Sequence, residues 1–326
     1  MNLPIDFLDQ PLAITWAINH LRENGYELEG TFIPVRIMPW SQVYCITTSQ
    51  GTIYLKQTTA VFSIEVGLLS YLTISFPQIL PKLIGCNNNL HCLLMCDGGT
   101  PLRNFLQTTY QPELANKGLN IYCKLQQETS NKIDTLLALG VPDWRLKLLP
   151  SLYLKLLSEG TFLKNDGLKQ IEIDNLKKLY SQVQELCHSL SQYSIPETIE
   201  HGDFHDNNML LNNENTLIIN DWGDTVITHP FFSMTSFLDS LSRNHNINAD
   251  DPVAQNLTEN YLNFWLKYES ISNLKIAFEL ARRLNNIKFA LSFFRIAQCP
   301  GMEDLGQYKG MIAKALIEFG QNERNQ

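Results

Sequence analysis

The sequence predicts an α+β chain folded as two lobes, strand-rich over its first third and mainly helical thereafter. Three observations carry this reading. The 326 residues exceed what one small core needs. β-Branched and aromatic residues crowd residues 30–56, and from about residue 112 onward apolar residues recur at helical spacing. No repeat of fixed period and no low-complexity tract offers another organisation.

The elements follow in order. Asp9 and Pro11 mark a helix start, Leu12, Trp16 and Leu21 keep helical spacing, and Gly25 stops it, which predicts a helix over 10–24. Residues 30–56 are broken by Pro39 and by Ser49-Gln50-Gly51 and read as a three-stranded meander ending in Ile53-Tyr54-Leu55-Lys56. Residues 61–72 have the period of a short helix carrying Glu65, and residues 80–85 and 91–96 read as two further strands before Gly98-Gly99. Helices are expected over 112–137, 143–158, 173–191, 231–243, 253–268, 271–298 and 302–319, with a strand-turn-strand stretch at about 198–221. The lobes divide as 1–95 and 96–326, joined near Met95–Gly99.

Composition narrows the function. The chain is 44% hydrophobic and 18% charged, which excludes disordered, collagen-like and disulfide-scaffold classes. With 25 Lys and Arg against 33 Asp and Glu, the net charge of −8 has the wrong sign for a nucleic-acid or anionic-lipid partner. Seven cysteines at irregular spacing read as reduced thiols and a cytoplasmic chain. The N-terminus lacks a basic, apolar leader, and no run of eighteen apolar residues exists, so neither export nor a membrane anchor is expected.

The chemistry concentrates in His201-Gly202-Asp203-Phe204-His205-Asp206-Asn207-Asn208, followed by Asp221-Trp222-Gly223-Asp224. Phosphoryl transfer from a nucleotide needs a carboxylate that accepts the proton of an attacking hydroxyl, and hard oxygen ligands that hold magnesium on the phosphates. Asp203 suits the first role; Asn208, five residues on, and Asp221 suit the second. His201 and His205 are also four apart, but Gly202 opposes a helix there and no third zinc ligand stands at a fitting spacing.

This pattern resembles the aminoglycoside phosphotransferase and choline-kinase-like family, small-molecule kinases with a protein-kinase-like two-lobed fold. Trp40-Ser41, Lys56, Glu65, Met95-Cys96-Asp97-Gly98-Gly99, Pro142-Asp143-Trp144-Arg145 and His229-Pro230-Phe231 extend the likeness in the family's order, over about residues 30–235. The resemblance implies ATP as donor, with GTP open, Mg2+, and a small-molecule hydroxyl acceptor. It makes Asp203 the catalytic base, Asn208 and Asp221 the metal ligands, and Lys56, paired with Glu65, the phosphate contact. It further implies that Trp40 and Ser41 cover the phosphates, that Met95, Cys96, Asp97 and Gly98 meet the nucleotide base, and that His201, His205 and Asp224 support the loop. Residues 31–50 contain no glycine, so a Gly-rich phosphate loop is absent, and an A-P-E segment is missing too, which disfavours a protein substrate. The rival reading is a noncatalytic nucleotide-binding regulator on the same fold.

The C-terminal helices leave the acceptor open. Tyr261, Phe264, Trp265 and Tyr268 have the spacing of an aromatic cage for a quaternary ammonium, and equally of a buried helix face. Asp239, Asp250, Asp251 and Glu259 suit a cation or a solvated surface; Arg282, Arg283, Lys288 and Arg295 suit an anion or a solvated helix face.

Overall fold

A computed structural model describes residues 10–324. Helix α1 (Gln10–Glu23) precedes strands β1 (Leu28–Met38), β2 (Ser41–Thr48) and β3 (Gly51–Thr58). Asp9, the expected helix start, lies outside the described residues. Helix α2 (Ile64–Ser75) and strands β4 (Leu83–Asn87) and β5 (Cys92–Cys96) complete an antiparallel five-stranded sheet of order β1-β2-β3-β5-β4.

Pleat alternation decides what each face of this sheet covers. Ile53, Leu55, Cys92 and Leu94 form a buried cluster with Ala13, Ala17 and Leu21 of α1. Leu93 and Met95 point the other way, into a cluster that holds Val66, Leu69 and Leu72 of α2 and most of the helical core. With both faces covered, β5 reads as the unbroken apolar run Cys-Leu-Leu-Met-Cys rather than as an alternating strand.

The rest of the chain is mainly helical: α3 (Leu102–Leu106), α4 (Pro112–Thr129), α5 (Ile133–Ala138), α6 (Leu149–Ser158), α7 (Gly160–Asp166), α8 (Gln170–Lys178), α9 (Tyr180–Ser191), α10 (Phe231–His245), α11 (Pro252–Asn263), α12 (Ile271–Ala297) and α13 (Met311–Arg324). Between them, β6 (Thr100–Pro101), β8 (Met209–Leu211) and β9 (Leu217–Ile219) form one small sheet, and β7 (Thr198–Glu200) pairs with β10 (Val226–Thr228) in another.

Several expected boundaries move, each for a local reason. The helix expected over 112–137 breaks because Thr129 turns its hydroxyl back onto the Leu125 and Gln126 carbonyls (2.9 and 3.0 Å) and Ser130 onto that of Gln127 (2.7 Å). The helix expected from 143 starts only at Leu149, because the backbone before it is strand-like: Ile227 N donates to Pro142 O (2.9 Å) and Trp144 N to Ile227 O (2.8 Å). Residues 302–310 are turns around a single 3-10 turn (Gly306–Tyr308), since Gly306 and Gly310 sit at positive φ, and α13 begins after them. The 173–191 helix divides at Leu179 into α8 and α9. Among the described residues, no helix is long and apolar enough to cross a membrane.

His229, immediately before α10, illustrates what this core demands of a polar ring. It is 1% exposed, its Nδ1 accepts from Phe231 N (3.3 Å), and its Nε2 finds no partner. Burial drives its pKa down from 6.5 to about 3. Between those values the unfolded chain binds the extra proton and the folded one does not, so stability falls as pH drops from 6.5 towards 3. In His229→Gln, the acid-side decline in melting temperature over that interval is expected to be shallower than in the parent; equal slopes would remove His229 as its source.

Candidate active site

The strand pair β7–β10 launches the segment that carries Asp203, and Gly202 makes the bend possible. Its φ is +87°, and a Cβ there would lie 2.3 Å from the Asp224 carbonyl oxygen, so both conformation and close approach require glycine. His201, fully buried, accepts from Asp203 N at Nδ1 (3.4 Å) and therefore carries its proton on Nε2, which donates to Asn220 O (2.9 Å). Asn220 N in turn donates to Asn208 O (2.8 Å). One neutral imidazole thus ties the loop of Asp203 to the approach of Asp221, and burial holds it below the ordinary histidine range.

Asp203 is the open end of this arrangement, its side chain 53% exposed. Asn208 Nδ2 donates to its carbonyl (2.9 Å) and to Oδ2 (3.1 Å), and His205 Nε2 lies 3.2 Å from the same Oδ2. Burial would push this carboxyl up. The hydrogen bond and charge of His205, with the charge of Lys288, override it and hold Asp203 well below the usual carboxylate range.

Opposite stands a buried cation between two carboxylates. Lys56 Nζ of β3 lies 2.6 Å from Asp221 Oδ1 and 2.8 Å from Glu65 Oε1 of α2, and Trp222 N donates to that same Oε1 (3.0 Å). Burial alone would lower the ammonium; the charges of Asp221 and Glu65 hold it above its ordinary value. Burial likewise opposes ionisation of Asp221, and Lys56 reverses it. Asp221 has φ +66°, a conformation costly for a non-glycine residue and characteristic of functional loops.

Asn208 and Asp221 fit a hard divalent cation by donor chemistry. The Asn208 amide nitrogen is engaged by Asp203, which leaves its oxygen available, and Asp221 has one oxygen on Lys56 and is 38% exposed. Among the described residues there is no cluster of three or more His, Cys, Asp or Glu side chains placed to hold a metal.

The remaining expected nucleotide contacts are distributed differently. Trp40 lies at the β1–β2 turn with its ring against Tyr308 (5.6 Å), beside a small cluster of Phe62, Cys299 and Met302; Ser41 begins β2. Met95 is buried in β5, while Cys96 N and Asp97 N donate to Lys82 O (2.9 Å) and Thr52 O (3.1 Å). Asp97 Oδ1 accepts from Gly99 N (2.9 Å), so in this segment the amide of Gly98 stands without a hydrogen bond among the described residues.

Three further contributors escaped sequence reasoning. Lys288, one of four basic residues that suit an anion or a solvated helix face by sequence, is 3% exposed; its Nζ donates to Gly202 O (2.8 Å) and lies 3.2 Å from Glu200 Oε2. Arg295 donates to Asp224 O (3.0 Å), Gly223 O (3.3 Å) and Val61 O (3.4 Å) and covers the Phe62 ring at 5.0 Å. The 288/295 interval of seven puts both on one helix face, a signal that composition alone could not separate from solvation. Asp206, fully buried, is held by Arg103 Nη2 (2.8 Å) and His245 Nε2 (2.6 Å) and fixes the short turn before Asn208. Asp224 itself is pushed up to about 7 by burial, against the charge of Arg295.

The cage alternative for the aromatics does not hold. Tyr261 and Trp265 are fully buried against Phe231, with the Tyr261 hydroxyl donating to Pro230 O (2.8 Å).

Comparison with known proteins bears on the fold. Residues 131–269 match the model of the phosphotransferase enzyme family. No curated protein matches by sequence. Among solved structures, a choline kinase from Cryptosporidium parvum Iowa II superposes with TM-score 0.63 at 14% identity, over 97% of this chain and 96% of that one. An amicoumacin kinase in complex with AMP-PNP, Ca2+ and Ami gives 0.61 at 13% over 96% and 94%, and a macrolide 2'-phosphotransferase from Brachybacterium faecium 0.58 at 11% over 94% and 98%. The chain has the fold of these kinases, an α+β arrangement with a sheet-bearing N-terminal region and a helical C-terminal one, and the match over residues 131–269 carries the signature of phosphotransferases.

The Lys56 cluster makes a stability prediction. Lys56→Met leaves the Glu65 carboxylate, 1% exposed, without its cation, and removing one partner of a buried pair costs on the order of 3 kcal/mol. Denaturant unfolding of Lys56→Met, Glu65→Gln and the double variant is expected to show a double variant less destabilised than the sum of the singles; strict additivity would mean that the pair is not coupled.

Proposed function

We propose that the protein is a Mg2+-dependent kinase that transfers the γ-phosphate of ATP to a hydroxyl of a small molecule, with Asp203 as general base. The observation that carries this is the joint placement of an ionised, half-exposed Asp203 and of a Lys56 locked to Asp221, on loops tied together through His201. The phosphotransferase family match and the kinase neighbours, one of them in complex with AMP-PNP and Ca2+, support the reading.

In this reading Lys56 orients the α- and β-phosphates, kept charged by Glu65. Asn208 and Asp221 hold the magnesium, which when bound neutralises phosphate charge. The acceptor oxygen attacks γ-phosphorus in line, the bond to the β-phosphate bridging oxygen breaks, ADP leaves, and the hydroxyl proton passes to an Asp203 oxygen. A carboxylate with a depressed pKa is a weak base, which suits a loose transition state in which the proton moves late. Lys288 and Arg295 act by position: the first fixes the Gly202 carbonyl beside Asp203, the second those of Gly223 and Asp224. Residues 1–95 would hold the nucleotide and 96–326 the catalytic loop and acceptor, in a cytoplasmic setting that suits seven unpaired cysteines.

Asp203→Asn is expected to lower turnover by on the order of 10²–10⁴, the range for a lost general base, while calorimetry still registers Mg-ATP binding. Asp221→Asn is expected to weaken the Mg2+-dependent part of that binding as well as turnover. Full activity in Asp203→Asn would remove it as the base; Mg-ATP binding with no transfer to any acceptor by the parent would turn the reading towards a regulator.

A further inference from the structure

A kinase has to let ADP out past the hairpin that flanks its lysine, and the tip of this hairpin is not free. Pro39 and Trp40 turn the chain between the paired Met38 and Ser41. Val43 of β2 pairs with Lys56, so the hairpin lies alongside the buried ammonium. Residues 31–50 contain no glycine, and a hairpin without one bends little within itself; it moves chiefly as a unit.

The tip is tied to the far end of the chain. Trp40 O accepts from Thr59 N (3.0 Å), and Thr59 Oγ1 lies 3.4 Å from Cys299 Sγ. The Trp40 ring lies 5.6 Å from that of Tyr308, which in turn lies 5.5 Å from Phe293 of α12. Both Trp40 and Tyr308 pack on a buried apolar patch of Phe62, Cys299 and Met302. Arg295, two residues beyond Phe293, donates to Val61 O next to that patch.

Tyr308 is held in place by the backbone that carries it. It ends the 3-10 turn Gly306–Tyr308, and its N donates to Leu305 O (2.8 Å). Leu305 has φ +61°, a strained conformation for a leucine, and its side chain is fully buried. Asp304 Oδ1 accepts from Gly306 N (3.1 Å) and caps the same turn. The fold therefore accepts local strain to present an aromatic ring to the hairpin tip.

We propose that Trp40 and Tyr308 form an aromatic latch that sets the rate at which nucleotide leaves; the proposal rests on the kinase reading above. Both are positioning residues. A glycine-rich cover can peel away residue by residue, whereas this stiff hairpin lifts whole, and the two rings are the contact that parts at its tip. The latch is uncharged, unlike Lys56 and Arg295, which join the same regions of the chain through charge. One aromatic pair with its buried area is worth about tenfold in a rate, enough to slow release and weak enough to open in every turnover.

The test follows dissociation of fluorescent methylanthraniloyl-ADP, bound with Mg2+ and displaced by excess ADP in a stopped-flow instrument with the fluorophore excited directly. Trp40→Ala and Tyr308→Ala are each expected to speed release about tenfold. The double variant is expected to be no faster than either single, since all three lose one shared contact, and Trp40→Phe, which keeps a ring, to stay within about twofold of the parent. General loosening of the fold would instead accumulate in the double variant and lower the melting temperature in step. Release that is unchanged or slower in both alanine variants would overturn the latch, as would effects that multiply in the double variant. Release from Trp40→Phe as fast as from Trp40→Ala would overturn the aromatic contact as its basis. Failure of the parent to bind methylanthraniloyl-ADP would instead defeat the kinase reading itself.

Discussion

The arrangement depends on a lysine ammonium that has been taken out of water. Lys56 is 7% exposed, and a cation there is tolerable only with close counter-charges. The two it finds come from 9 and 165 residues away, so one buried charge fixes the sheet, α2 and the loop after β9 relative to one another. That constraint turns a fold into a site: Asp221 adopts its strained φ because Lys56 holds the carboxylate and Glu65 accepts from the next amide.

Much of this was legible in the sequence, and for definite reasons. Asp203, Asn208 and Asp221 are short-range features of one loop and one hairpin, where spacing alone fixes the neighbourhood. Lys56 and Glu65 were legible only through their order in a recognised pattern, since an isolated lysine at a strand end is ordinarily solvated. What could not be read depends on tertiary packing. Lys288 and Arg295 look like any charged pair on a long helix until Gly202, Gly223 and Val61 bring their carbonyls to that face. The aromatic run at 261–268 fits a cage and a core equally by spacing, and the choice rests on Phe231 packing against it. Helix ends failed where side chains competed for backbone, as at Thr129, or where a distant strand claimed it, as at Trp144.

The two halves of the site differ in how they are held. The Asp203 loop is set by hydrogen bonds through the neutral His201, by one glycine that admits no side chain, and by the buried charges of Lys288 and of Asp206 with Arg103. The Lys56 side is set by charge throughout. Ionic strength screens exposed charges but reaches buried pairs much less, so the cation cluster is insulated by its own burial.

The division of apolar residues across the sheet bears on how the chain is made. Leu93 and Met95 of β5 and Val66, Leu69 and Leu72 of α2 share their cluster with Ala115, Leu119 and residues as far along as Phe319. During vectorial synthesis the opposite face can close early onto α1, but this one stays uncovered until the helices emerge. The nascent sheet is therefore a sticky surface on the ribosome, and chaperone demand falls on the interval between residue 95 and the completion of the C-terminal helices.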